Sequence, residues 1–373
     1  VTPSRYYALG LSATPETAAF REKLVPALGP EIYKYGFTDA LNDNIISPFS
    51  IFNLKLQFTR YEQEQYQDLS DQLTRALENL KHLCPFLNSL SGQQFFAALE
   101  ELAQAAADPD AASLARAVMV LSVTRKDVVY RAKSRLSCVE NLVKRIPQTS
   151  KILIFNERIE VAEAIFERLQ RLLPGQVGRY HSEMDEGSRK RILRRYQDSE
   201  IRILVSCRAL DEGLNVPETD VGIIASSTSS SRQRIQRLGR VLRRSGKAHT
   251  AYLYYLYIGS SNEEPELLAD LDQELVGMIP VLDLDYEQET QSFIYPAYQA
   301  LAERVLAHGR RQKWGLRIIS EIERNLERGK LSCDWWNSEK NCGLRAQAAS
   351  SRAERNYWIT MRLLVQASLN RLP

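Results

Sequence analysis

The sequence predicts an α/β fold, a parallel sheet with helices on both faces, extended by mainly helical accessory segments. Three observations carry this. Short, almost wholly apolar runs recur at KILIF (151–155), IRILV (201–205), VGIIA (221–225) and AYLYYLYI (251–258). Segments of helical period lie between the earlier of these runs, as with Val161, Ile165, Leu169 and Leu172 on one face. Strands that are apolar on both sides need cover on both faces, which parallel strands joined by crossover helices provide.

Taken in order, YYALGLSATP (6–15) reads as a buried strand that ends in small hydroxylated residues and a proline stop. Residues 16–60 alternate short helical and strand-like pieces, including FNLKLQFT (52–59) with a period of two. From Tyr61 to about Ile146 the pattern is helical, and Asp108-Pro109 breaks an alanine-rich stretch into a helix pair. KILIF then opens the strand–helix alternation, followed by VGRYH (177–181), a helix over 186–198 and the remaining strands. Between Glu263 and Glu289 lie ten acidic residues and no Lys or Arg, which reads as a solvated linker. Residues 303–330 form a basic helical stretch around Trp314, readable as a solvated helix or as a track for duplex backbone.

A chain of 373 residues exceeds one typical core, so two or three domains are expected. The division implied is 1–30 as the end of one domain and a linker, 31–258 as the sheet domain with a helical insertion at about 61–146, and 259–373 as a helical accessory region. A net charge of only +3 means that any basic site is a local patch. Five scattered cysteines with no CxxC pair imply a reduced, cytoplasmic setting and no structural zinc. No apolar run is long enough to cross a bilayer, and no membrane partner is expected.

IQRLGRVLRR (235–244) is the most unusual segment. Wound as a helix, it gathers Gln236, Arg237, Arg240, Arg243 and Arg244 within an arc of roughly 120°, opposite Ile235, Leu238 and Leu242. Lysine is the ordinary solvating cation, whereas arginine suits bidentate contact with phosphate. Gly239 inside this helix costs about 1 kcal/mol against alanine, which implies a close approach to the backbone there. The segment follows a parallel strand, where α/β sheets bind ligands. The fan points to a phosphate.

Gln236-Arg237-x-Gly239-Arg240-x-x-Arg243 resembles motif VI of the superfamily-2 helicases and translocases. CRALDEGLNVPETD (207–220) resembles their motif V, KILIFNERIEVAEAI (151–165) motif IV, YHSEMDEGSRKRIL (180–193) motif IVa, and LGLSATP (9–15) motif III. The five occur in the family's order over roughly residues 5–258, and GLSATP with QRLGRVLR is most similar to the XPB-like and restriction-type DNA translocases. The resemblance implies a RecA-like second motor domain. It also implies ATP with Mg2+ as cofactor, nucleic acid as partner with DNA favoured over RNA, and a first motor domain in cis or trans.

Within that resemblance, Arg240 and Arg243 are arginine fingers, and Gly213, Asn215 and Gln236 join them around the nucleotide. Asn215 stands where the family more often has Asp, so that contact carries no charge. Two readings of Arg237 stand, a nucleotide contact or a pairing within its own domain. His181, Ser182, Arg189, Ser206, Cys207 and Arg208 are implied to meet the strand backbone, with Cys207 also readable as a small buried residue. Ser12 and Thr14 couple nucleotide state to grip on the strand, or simply end a strand; Phe155 reads as core. No Walker A or DExH string occurs, and no metal site is expected in this sequence. The chain, which begins at Val1, is therefore expected to be the C-terminal part of an ATP-driven DNA translocase of repair, restriction or phage defence, inactive alone. A non-hydrolysing nucleic-acid-binding module is the other reading.

Overall fold

The computed structural model describes residues 10, 22–23, 25–43, 45–47, 49–105, 108–207, 219–226, 251–263, 281–294, 298–311, 313–327 and 339–368. Two short helices, α1 (Val25–Leu28) and α2 (Phe37–Asn42), precede the eight-stranded sheet at the centre of these residues. Its strands are β1 (Phe49–Leu56), β2 (Ile152–Asn156), β3 (Val177–Tyr180), β4 (Ile203–Cys207), β5 (Val221–Ile224), β6 (Ala251–Ile258), β7 (Val281–Glu287) and β8 (Ser292–Ile294). They lie in the order β3-β4-β2-β5-β6-β1-β7-β8. Every pairing is parallel except that of β7 with β8. The carboxyl ends of β1 to β7 therefore share one edge of the sheet.

The wholly apolar strands have the two-sided cover they require. On one face, Leu54, Ile152, Ile154, Val205 and Ile223 pack with α6 (Lys133–Arg145) and α7 (Ile159–Leu172) through Leu142, Val139, Ile165 and Leu169. On the other, Ile51, Leu153, Leu204 and Leu253 pack with α8 (Glu186–Gln197) through Leu193 and Tyr196. The helix α7 forms because its apolar positions recur at helical spacing, and β-strand neighbours supply the surface that spacing needs.

The helical stretch predicted over 61–146 fills the crossover from β1 to β2; its last helix, α6, packs on the sheet, and the helices before it form an arm. Its helices α3 (Arg60–Leu83), α4 (Gly92–Gln104) and α5 (Pro109–Tyr130) share a core of their own, built on Leu73, Leu80, Leu87, Leu99, Ala115 and Val118. Tyr66 near the start of α3 and Val128 and Val129 near the end of α5 belong instead to the sheet's core. The two long helices thus run antiparallel away from the sheet, and the 24 residues of α3 span about 36 Å. Thr59 opens α3 with a reciprocal cap, accepting from the Glu62 amide while the Glu62 carboxylate takes the Thr59 amide at 2.9 Å. Asp108 and Pro109 open α5, where Asp108 accepts from the Ala111 amide at 3.0 Å. The break expected at this dipeptide is a helix start.

The reading of 259–373 as helical, and of its acidic stretch as a linker, needs correction. Val281–Glu287 is strand β7, parallel to β1, with β8 beyond it. Leu284 and Tyr286 are buried and alternate with exposed Asp283, Asp285 and Glu287. Acid count masks a period of two in VLDLDYE, and the alternation places its carboxylates outward on a strand near the sheet's end. Asn53 of β1 donates to the Asp283 carboxylate across the pair at 2.8 Å. The sheet continues past residue 258, so that boundary divides one sheet. Beyond it, the helices Tyr298–Arg311, Leu316–Glu327, Glu339–Ala348 and Arg352–Ser368 enclose a separate core of Val305, Ile322, Cys342, Met361 and Val365.

One ionic contact ties α6 to α7. Glu140 accepts from Lys144 at 2.5 Å and from Arg168. Burial raises the Glu140 carboxyl, but the bonds from Lys144 and Arg168 outweigh it and hold it below its ordinary 4.5. A carboxyl whose folded value is depressed contributes stability above its unfolded value and loses it as pH falls through the folded one. Glu140→Gln is accordingly expected to lower the melting temperature at neutral pH and to match the parent once the pH lies well below 4.5. Paired thermal melts at the two pH values check this; an equal deficit at both would contradict it.

Candidate functional site

Four of the segments singled out in the sequence leave the sheet at its carboxyl edge, since they follow the parallel strands β2, β3, β4 and β5. The residues that directly follow β2, β3 and β5 are described, and a hydrogen-bonded network joins those after β2 and β5. Asn156 ends β2 fully buried, and its Oδ1 accepts from the Ser226 hydroxyl at 3.0 Å and from the Arg158 amide at 3.2 Å. The Ser226 Oγ in turn accepts from the Glu157 amide at 2.9 Å. The loop after β2 and the loop after β5 are thereby held together. The Asn156 Nδ2 is enclosed without a hydrogen-bond partner, an unusual position for a donor at a sheet's ligand-binding edge.

His181 follows β3 and is buried. Its Nε2 lies 2.6 Å from the Glu163 carboxylate of α7, which also takes a bond from Arg179. With Nε2–H directed at Glu163, the enclosed and unpartnered Nδ1 is an acceptor in the neutral ring and can donate to a phosphate only from the imidazolium. His181 is thus a partner of α7 first. Ser182 is exposed, and Asp185 caps α8 by accepting from the Ser188 amide at 2.8 Å. Bonds from Ser188, side chain before backbone, hold the Asp185 carboxyl below its usual range. Arg189 is half-buried in the first turn of α8, and its Nε has no hydrogen-bond partner. Ser182 and Arg189 stand beside a helix N-terminus, where amide groups and the helix dipole favour anions.

Ser206 and Cys207 are a correction. Both are enclosed in the sheet, and the Ser206 hydroxyl donates to the Ile154 carbonyl of β2 at 3.0 Å. A strand covered on both faces turns every side chain into a core, so their side chains are not presented to a nucleic acid; Cys207 is a small buried residue. Phe155 is core, as read. Ser12, Thr14, Arg208, Gly213, Asn215, Gln236, Arg240 and Arg243 lie outside the described residues.

The sequence reading passed over Arg135, which is fully buried. Its guanidinium donates to the Val129 carbonyl at 3.0 Å, to the Leu256 carbonyl at 3.0 Å, to the Ala225 carbonyl and to the Glu263 carboxylate. It joins the base of the arm to the carboxyl ends of β5 and β6, next to the point where residues 227–250 depart. Arg158 makes a second tie, donating from Nε to Asp127 of α5 at 2.8 Å while its guanidinium lies 5.1 Å from the Tyr130 ring. A signal for Arg135 existed: with Cys138, Val139 and Leu142 it stands at i, i+3, i+4 and i+7, on the buried stripe of α6. An arginine on such a stripe needs buried acceptors.

The edge offers donors to anions, through Arg189 and the α8 N-terminus. Among the described residues no three metal-ligating side chains gather. No described helix is long and apolar enough to cross a membrane.

The helicase conserved C-terminal domain matches residues 134–245. The DNA 3'-5' translocase XPB2 of Sulfurisphaera tokodaii is 29% identical over 246 residues, 65% of this chain and 51% of that protein. The ATP-dependent RNA helicase DBP8 of Scheffersomyces stipitis is 32% identical over 114 residues, 30% of this chain and 25% of that protein. A fragment of a putative HsdR subunit of a type I restriction enzyme from Vibrio vulnificus aligns at 17% identity over 73% of this chain and 43% of its own, with a TM-score of 0.42. The chain spans about half the length of the XPB2 relative.

Proposed function

With residues 134–245 a helicase conserved C-terminal domain of superfamily 2, we propose that the chain is the second motor half of an ATP-dependent DNA translocase or helicase. One observation carries the reading. The strands β2, β3, β4 and β5, which open or precede the segments resembling motifs IV, IVa, V and VI in the sequence, run parallel, so their carboxyl ends share the edge where an α/β sheet binds its ligands. The identity with XPB2, a DNA translocase, over 65% of the chain supports DNA over RNA.

The donor set at this edge fits an anion. ATP bound between two motor domains supplies the γ-phosphoryl group whose transfer to water releases energy. This chain's part is to bring Arg240 and Arg243 to that charge, with Gly213, Asn215 and Gln236 beside the nucleotide. Ser182 and Arg189 hold phosphates of the strand, with Arg208 adjoining them. Ser12 and Thr14 link the two events, while Mg2+ is held by groups of the first motor domain. Because the two halves of such a site lie on separate domains, hydrolysis requires their closure, and closure moves one grip on the strand relative to the other.

Competition at fixed ionic strength among duplex DNA, single-stranded DNA and RNA for the protein tests the substrate. Duplex DNA is expected to bind most tightly and to stimulate ATP hydrolysis by the full-length protein. Arg189→Ala should weaken DNA binding severalfold and flatten its salt dependence by about one phosphate contact. Equal binding of all three polymers, indifferent to salt and to that substitution, would refute the assignment.

A further inference from the structure

The strand β3 ends the sheet, so among the described residues one side of its backbone has no neighbouring strand. A groove of about 350 Å³ runs along it, with Gly175 and Met184 in its lining just before and just after the strand. Its two walls come from opposite faces of the sheet: Phe166 and Gln170 from α7, and Ser188, Arg191, Ile192 and Arg195 from α8. Val177, Gly178 and Arg179 of β3 lie between them. Gly178 leaves no room for a side chain, since a Cβ there would lie 2.4 Å from the Ile201 Cδ1. The strand is thus drawn tightly against the α8 side.

Three properties define what fits. An edge strand directs alternate N–H and C=O groups outward, a template for one more extended chain. The lining mixes Phe166, Val177, Met184 and Ile192 with the guanidiniums of Arg179, Arg191 and Arg195, and contains no carboxylate. Arg179 is engaged by Glu163, and Arg195 by Glu200 at 3.0 Å, whereas Arg191 makes no ion pair among the described residues. The Gln170 Oε1 in the wall is enclosed and accepts no hydrogen bond.

We propose that this groove binds an acidic, extended segment of a partner protein, which adds a strand beside β3 and directs its carboxylates at Arg191 and Arg195. A strand of peptide satisfies the outward backbone groups, its alternate side chains meet the apolar lining, and its acids match the wall of α8. Nucleic acid would use the arginines but leave the strand's amides unmatched. The inference does not depend on ATP hydrolysis.

The test pans a display library of random peptides against the whole chain and measures the selected peptides by fluorescence anisotropy. Sequences with Asp or Glu at alternate positions are expected, with binding about tenfold weaker to Arg191→Glu. That variant keeps its fold, checked by circular dichroism, because Arg191 is exposed on α8. Hydrogen exchange should show outward amides within 177–180 gaining protection when peptide is added. Selection without acidic alternation, equal binding to Arg191→Glu, or unprotected β3 amides would each overturn the proposal. Displacement of the peptides by oligodeoxythymidine would assign the groove to nucleic acid and overturn it equally.

Discussion

Arg240→Ala, placed in the protein expressed from its complete coding sequence, is expected to lower DNA-stimulated ATP hydrolysis by about 10³–10⁵ while leaving DNA affinity within a few-fold of the parent. The size follows from the role: an arginine supplied to a departing γ-phosphoryl group lowers the barrier by ~4–7 kcal/mol. The loss belongs in kcat, because the charge it meets develops in the transition state. Arg240→Lys should recover only part of it, since an ammonium lacks the planar fork. Arg243→Ala is expected to fall in the same range. Steady-state ATPase assays with and without duplex DNA, beside a binding isotherm, separate the two steps. A loss confined to DNA binding would reassign the arginines from nucleotide to strand, and an unchanged turnover would remove the motor reading altogether.

Arg135→Met is expected to destabilise the chain by about 3–5 kcal/mol, the range for breaking a buried ion pair from one side. Four acceptors lose their donor together: the carbonyls of Val129, Ala225 and Leu256 and the carboxylate of Glu263, which also takes the Ile258 amide at 3.0 Å. Glu263→Gln should cost less, since the amide oxygen still accepts from Arg135 and Ile258. The double variant Arg135→Met with Glu263→Gln should fall short of the sum of the two, because its second change removes a charge already orphaned by the first. Guanidinium denaturation of all four proteins yields the coupling energy. Additive losses would show that the pair acts as two independent packing groups. The same substitution releases the Ala225 carbonyl two residues before the segment that carries Arg240, so lowered activity in protein that remains folded would mark Arg135 as a positioning residue.

Much of this architecture can be read directly from residue patterns. KILIF, IRILV and VGIIA announce buried strands because no solvated or one-sided strand tolerates such continuous apolarity. The α8 helix is legible from Asp185 before a run of helix formers, and it spans Glu186–Gln197 within one residue of the expected end. VLDLDYE shows the opposite case. Its composition argues for a linker, and its period argues for a strand; period prevails because β1 offers an unpaired edge and a core for Leu284 and Tyr286. Such an edge is a fact about folded geometry and leaves no mark in the local sequence.

The order of motifs and the apolar runs carry the resemblance of residues 134–245 to a helicase C-terminal domain and show where buried strands begin and end, since period and spacing are properties of neighbouring residues. Folding settles matters that depend on distant ones. It turns Ser206 and Cys207 inward, engages His181 with Glu163, closes Arg135 around carbonyls 90 and 121 residues away, and sets β3 at the margin of the described sheet. A side chain's chemistry is written in the sequence; whether water, a carboxylate or a core meets it depends on which remote segments arrive beside it.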